Sequence, residues 1–132
     1  MEWIVPNGAK IKYDENKNIV YMSIFKEYFS EEAAIKLIES IHNKIKPKFG
    51  ILGDYREIYY ITQKARKIMA EYHHEDVIVA AAVVGSALQV KFGNLFLKFS
   101  NPKFPTKIFF SIEEAEKWLL EEIGVNKQKN KQ

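Results

Sequence analysis

Few side chains in this chain stand where chemistry would need them. Ser86 follows an apolar run, within Val84-Gly85-Ser86-Ala87-Leu88. An acyl-transfer serine occupies such a strand-to-helix turn, but within Gly-x-Ser-x-Gly. The flanking pattern differs here, and only three histidines, His42, His73 and His74, are available as a base. Helix N-capping is the better reading of Ser86, as it is of Ser30 and Ser111.

His73-His74-Glu75-Asp76 gathers metal-ligating types. Ligands on one helix come three or four residues apart so that they share a face. Adjacent histidines diverge by about 100°. A solvated helix end fits better, with histidine near the negative terminus. His42 stands alone on a polar helix side. The chain has no cysteine, which removes thiolate nucleophiles, disulfides and cysteine-ligated zinc. Neither Gly-x-Gly-x-x-Gly nor a Walker-type loop occurs, so nucleotide binding lacks its phosphate cradle. Most carboxylates fall in first helical turns, where they serve the helix dipole. No catalytic set, cofactor site or metal site assembles from these residues.

Asp54, Arg56, Thr62, Arg66 and Ser86 form a more coherent group. They flank the carboxyl ends of expected strands, the edge where open α/β sheets place ligands or partners. Thr62 and Arg66 are four apart and share a helix face. The alternative is structural, an ion pair of Arg56 or Arg66 with Asp54 or Asp76.

These residues need elements to hold them. The 132 residues, 47% hydrophobic and 14% aromatic, suit one domain with one core. Residues 1–125 are expected to form it, with 126–132 a polar, disordered tail. Net charge is +3, and Lys127, Lys129 and Lys131 of the tail supply three of the basic residues. The only arginines are Arg56 and Arg66. A nucleic-acid binder needs a basic stripe that this pattern lacks. The amino terminus lacks a basic start followed by an apolar run, and the run Val77 to Val84 is too short to span a bilayer. A cytoplasmic location is the default expectation.

Ala9 to Tyr13 and Ile19 to Phe25 alternate around the polar turn 14–18, a β-hairpin. Ser30-Glu31-Glu32 opens a helix with Ala34, Leu37, Ile38, Ile41 and Ile45 on one face, and Pro47 ends it. Phe49 to Asp54 is a strand. Thr62 caps a second helix lined by Ala65, Ile68, Met69 and Tyr72. The unbroken apolar run ending at Val84 suits a strand covered on both faces. Ala87 to Phe99 follows as a third helix, with Val90, Phe92, Phe96 and Leu97 among more apolar side chains than a one-sided surface helix needs. The surplus fits core, an oligomer interface or a ligand groove. After the rigid loop around Phe104 come a strand, Lys107 to Phe110, and a last helix. That helix opens on the capping box Ser111 to Glu114, carries Ala115, Trp118, Leu119 and Ile123 inward, and stops at Gly124. The order β-β-α-β-α-β-α-β-α demands right-handed crossovers. The expectation is an α/β fold with four helices and a mostly parallel five-stranded sheet, whose hairpin strand is an antiparallel edge.

With these residues in place the chain resembles the SpoIIAA-like branch of STAS domains, and closely the small bacterial proteins of that type found in Bacteroidetes. The likeness rests on Ile61-Thr62 with Ala65-Arg66, the run Ala80 to Val84, Ser86, Gly93-Asn94-Leu95-Phe96, Pro105 to Phe109, and Ala115 with Trp118-Leu119. It covers about residues 18 to 123. The resemblance implies a (βα)-superhelix fold and a non-enzymatic, regulatory role. Some STAS domains switch a partner through phosphorylation after the third strand, at an aspartate followed by two serines and glycine. Here that stretch is Asp54-Tyr55-Arg56-Glu57, which keeps the aspartate and lacks the serines and glycine. The wider group also resembles lipid-transfer domains of the CRAL–TRIO type, which implies an apolar ligand.

The expected function is a non-catalytic regulatory or interaction module. It would bind a protein partner or a second copy of itself through the Ser86 edge and the third helix. The alternative is a carrier of a small apolar or amphipathic molecule, with Phe92, Phe96, Phe99 and Phe104 lining the cleft and Arg56 or Lys107 holding a polar head.

Overall fold

A computed structural model of the chain describes residues 1–6, 8–25, 28–46, 48–58, 60–71, 78–86 and 104–130. The elements run β1 (Glu2–Val5), β2 (Ala9–Asp14), β3 (Ile19–Ile24), β4 (Tyr28–Phe29), α1 (Glu31–Lys44), β5 (Phe49–Asp54), β6 (Tyr60–Ile61), α2 (Gln63–Glu71), β7 (Ile78–Val84), β8 (Thr106–Phe109) and α3 (Ile112–Asn130). Among the described residues six strands form one mixed sheet in the order β1-β2-β3-β5-β7-β8. β1, β2 and β3 are antiparallel neighbours, and β3, β5, β7 and β8 run parallel. β4 and β6 pair in a separate two-stranded parallel sheet.

The sequence dictates this layering through a period of two. In β3, Val20, Met22 and Ile24 face one side and Ile19 and Tyr21 the other. The first side packs against α1 and α2, through Ala34, Leu37, Ile41 and Ala65. The second packs against α3, through Ala115, Leu119 and Ile123. β5 and β7 are sandwiched between both layers, so their runs need no polar face. Ile51 belongs to the first core, and Leu52, Ala80, Ala82 and Val84 to the second.

Three expectations are corrected. Among the described residues the sheet has six strands rather than five, because residues 2–5 add β1 outside the hairpin. The strand Ala9–Asp14 is therefore internal, not the edge. Gly8, at φ 100°, allows the tight turn that brings β1 back along β2. The last helix does not stop at Gly124 but continues through the expected tail to Asn130. Gly124 does not adopt the positive φ of a helix-ending glycine, and a glycine inside a helix costs only about 1 kcal/mol. Among the described residues there are three helices; the expected helix at 87–99 lies outside them.

Candidate functional site

Because β3, β5, β7 and β8 are parallel, their carboxyl ends meet at one edge. Ser23, Asp54, Val84 and Phe109 stand in register across it. Just beyond, Tyr55 N–H donates to Val84 O at 2.9 Å and Gly85 N–H to Phe109 O at 2.9 Å. The backbone is thus tied one residue past the row, and the chain departs from there into Arg56, Ser86 and Ser111.

Asp54 and Arg56 close on each other. Arg56 Nε donates to Asp54 Oδ1 at 2.9 Å and Nη2 to Oδ2 at 2.7 Å, a bidentate fork. The Arg56 amide adds a third bond to Oδ1 at 3.2 Å. The Arg56 side chain holds the Asp54 carboxyl below its ordinary range, against the opposing pull of partial burial. The same bond raises the guanidinium, with weaker help from the charges of Glu113 and Glu57. A carboxylate held this way is a poor general base. The arginine keeps a half-exposed outer face. Between them Tyr55 folds back over Gly53, where an added Cβ would lie 2.8 Å from Tyr55 Cε1. Burial pushes the Tyr55 phenol above its ordinary value.

The two-stranded sheet lies beside this edge, since β4 links β3 to α1 and β6 links β5 to α2. Tyr28 stands in register with Tyr60 and Phe29 with Ile61. Alternation sends Phe29 into the core and leaves both tyrosines outside. Their rings stack with centroids 5.4 Å apart and planes 17° from parallel. Tyr28 is 53% exposed and Tyr60 57%. Phe25, after β3, and Phe110, after β8, are also exposed at carboxyl ends of the main sheet.

The hydroxyls near this edge mostly serve helix ends. Thr62 Oγ1 accepts from Ala65 N at 3.0 Å, Ser30 Oγ from Ala33 N at 3.2 Å, and Ser111 Oγ from Glu114 N at 3.2 Å. Arg66 lies one turn into α2 and is exposed, its amide bonded to Thr62 O at 3.0 Å. Ser86 is exposed two residues past Val84. Of the five residues expected at this edge, the structure joins Asp54 to Arg56. It places Ser86 one strand over, Thr62 at the cap of α2 and Arg66 in its first turn.

Phe104 is half-buried and packs against the core that faces α1 and α2. Val90, Phe92, Phe96 and Leu97, like Phe99, His73, His74 and Asp76, lie outside the described residues. Among the described residues no three His, Asp or Glu side chains converge on a point that could hold a metal ion. The open face of β1–β3 carries a shallow depression lined by Glu2, Lys10, Lys12, Asp14, Lys17 and Tyr21. Two of its lysines are paired, Lys10 with Glu2 at 2.7 Å and Lys17 with Glu116 at 2.6 Å.

The tyrosines of the small sheet escape a reading by periodicity, because two-residue strands show no alternation. A local signal does exist. Tyr28-Phe29-Ser30 and Tyr60-Ile61-Thr62 repeat one pattern: an exposed tyrosine, an inward apolar residue, and a capping hydroxyl.

No described helix is long and apolar enough to cross a membrane. Comparison with solved structures finds a crystal structure of an uncharacterized protein of the DUF3478 family from Shewanella loihica PV-4, which has a SpoIIAA-like fold. It shares 16% identity with this chain and superposes with a TM-score of 0.60, over 85% of this chain and 92% of that one. The mixed sheet described above is thus a SpoIIAA-like, STAS-type fold. Among curated proteins no sequence matches. The model of a domain of unknown function, DUF7793, matches residues 13–122, from the end of β2 to the middle of α3. The chain belongs to the DUF7793 family.

Proposed function

We propose that this domain is a non-catalytic interaction module, and that it grips a protein partner at the carboxyl edge through Tyr28, Tyr60 and Arg56. The observation that carries this reading is the half-exposed stack of Tyr28 on Tyr60. Tyrosine and arginine are enriched among residues that dominate binding energy at interfaces. Tyrosine also offers a large contact area with few torsions to freeze. Here the rings are already held by each other and by the backbone pairing of β4 with β6. Arg56 is fixed by Asp54, so its free face is presented in one orientation. Rigid groups lose little entropy on binding. Hydroxyls held in helix caps and a carboxylate locked to arginine suit a docking surface better than a reaction centre.

The test is quantitative affinity capture from the native host. Wild type is compared with Tyr28→Ala/Tyr60→Ala, and with Val125→Ala, which alters an exposed residue on α3. A protein retained by wild type and Val125→Ala but lost from the double variant is then purified. Calorimetry should show its affinity falling at least about tenfold in the double variant. Equal capture and equal affinity for all three proteins would remove this edge from the interface.

A further inference from the structure

The strand β1 lies at one end of the six-stranded order and pairs with β2. Met1 and Tyr13 exchange backbone hydrogen bonds in both directions, at 2.8 and 3.5 Å. Bonded and non-bonded pairs alternate along an antiparallel ladder. Given the register of β1 on β2, Trp3–Ile11 and Val5–Ala9 are then bonded pairs too. Glu2 and Ile4 therefore turn their N–H and C=O groups away from β2, along the outer edge of the sheet. Among the described residues β1 has β2 as its single strand neighbour.

This edge is apolar and held in place. Ile4 is 70% exposed and Met1 68%, the two most exposed large hydrophobic residues among those described. Trp3 Nε1 donates to Ser40 Oγ on α1 at 2.8 Å, and Lys44 sits 5.4 Å from the Trp3 ring centre. Glu2 is a charge of the kind that guards free edges, but Lys10 neutralises it at 2.7 Å.

We propose that β1 pairs antiparallel with β1 of a second copy of this chain, Trp3 opposite the partner's Trp3, making one sheet continuous through two molecules. The register follows by elimination. Residues opposite each other must share a face, so the two-fold axis passes through a residue rather than between two. The bonded pairs must come from Glu2 and Ile4. Centring on Glu2 sets two like charges opposite each other. Centring on Ile4 sets Glu2 against the partner's Pro6, which has no N–H. Centring on Trp3 sets Glu2 against the partner's Ile4, and Ile4 against the partner's Glu2, with four backbone hydrogen bonds. It also covers both exposed hydrophobics. Met1 meets the partner's Val5, and the two Ile4 side chains become diagonal neighbours. Each Glu2 enters the field of the partner's Lys10, which stands beside the partner's Ile4.

Light scattering across a concentration series tests the association. The wild type should dimerise. Ile4→Pro deletes the outward N–H and no bond to β2, so it should stay folded and raise the dissociation constant at least about tenfold. Because the chain has no cysteine, single-cysteine variants test the register. Trp3→Cys should cross-link two chains under mild oxidation, since a non-bonded antiparallel pair brings Cα atoms to about 4.5 Å. Ile4→Cys should not. A wild type that remains monomeric, a dimer indifferent to Ile4→Pro, or cross-linking by Ile4→Cys instead of Trp3→Cys would each overturn the proposal. None of these outcomes depends on Tyr28 or Tyr60.

Discussion

Tyr28 and Tyr60 face each other across a two-stranded parallel sheet, and each precedes by two residues the hydroxyl that caps the next helix, Ser30 for α1 and Thr62 for α2. One short pairing therefore fixes where both helices start and places their amino termini side by side. Thr62 N–H donates to Phe29 O at 3.1 Å, which links the two starts directly. The small sheet positions the exposed rings and the helix layer together.

Within this unit the exposed and buried aromatics should separate cleanly. Phe29 is 1% exposed, whereas its neighbour Tyr28 is 53% exposed. Phe29→Ala should cost about 3–5 kcal/mol by lost transfer energy and cavity formation. Tyr28→Ala forfeits mainly the ring stack and should cost no more than about 1.5 kcal/mol. Urea unfolding of the two variants checks the contrast. A Tyr28 variant as unstable as the Phe29 variant would show that the tyrosine is structural, and would weaken its assignment to an interface.

The two caps should contribute similarly despite their different helices. Ser30→Ala and Thr62→Ala each remove one acceptor from a first helical turn and should each cost about 1 kcal/mol. Serine in place of Thr62 should restore most of the loss, because it keeps the hydroxyl. If serine fails to rescue, the Thr62 methyl group rather than the cap is what matters. Thermal unfolding of the three variants gives the answer.

Two glycines predict opposite outcomes. A Cβ on Gly50 would lie 2.9 Å from Leu119 Cδ1 and 2.9 Å from Ile123 Cδ1, where side chains of α3 pack against β5. Gly50→Ala should cost about 1–3 kcal/mol by overpacking, and adding Leu119→Ala should give less than the sum of the two separate losses. A Cβ on Gly124 would meet nothing within 4 Å. Gly124→Ala should therefore stabilise the protein by about 0.5–1 kcal/mol through the helix propensity of alanine. Additive losses at Gly50 and Leu119, measured by urea unfolding, would mean that the helix shifts instead of clashing.

The same residues show which parts of the architecture could be read from the chain alone. Long periodic segments were legible. The alternation in β3, the unbroken apolar run of β7 and the inward set Ala115, Leu119 and Ile123 all point where the structure has them. What escaped was short or local. β1 has four residues and no clear alternation, although Asn7-Gly8 is the strongest hairpin dipeptide. β4 and β6 have two residues each, and their partnership depends on how α1 and α2 pack. Gly124 read as a stop because glycine favours left-handed helix ends, but nothing there forces the chain to turn. At the candidate site, Asp54 with Arg56 was legible as an ion pair. The exposed tyrosines were not, because their exposure follows from a non-local pairing.

A last prediction concerns the clasp between α3 and the sheet. Lys17 Nζ donates to Glu116 Oε1 at 2.6 Å, and Tyr21 Oη donates to the same oxygen at 2.5 Å. Lys17 first, then Tyr21, lowers the Glu116 carboxyl from its ordinary value of 4.5. A carboxyl lowered by folding stabilises the protein above its unfolded pKa, and that contribution disappears as the pH falls through the folded value. Wild type and Glu116→Gln should therefore differ most in stability near neutral pH. The gap should hold down to about pH 5 and close progressively below it, as both chains come to carry a neutral side chain at this position. Other carboxylates held by cations, such as Asp54, also weaken the fold in acid, but they do so in both proteins and cancel in the difference. Urea unfolding of the pair at about pH 7, 5 and 3 reads the gap directly. A gap that stays constant across the series would mean that Glu116 acts through packing rather than charge. Tyr21→Phe then separates the two donors: it removes one bond, leaves the Lys17 pair intact, and should preserve part of the pH-dependent gap.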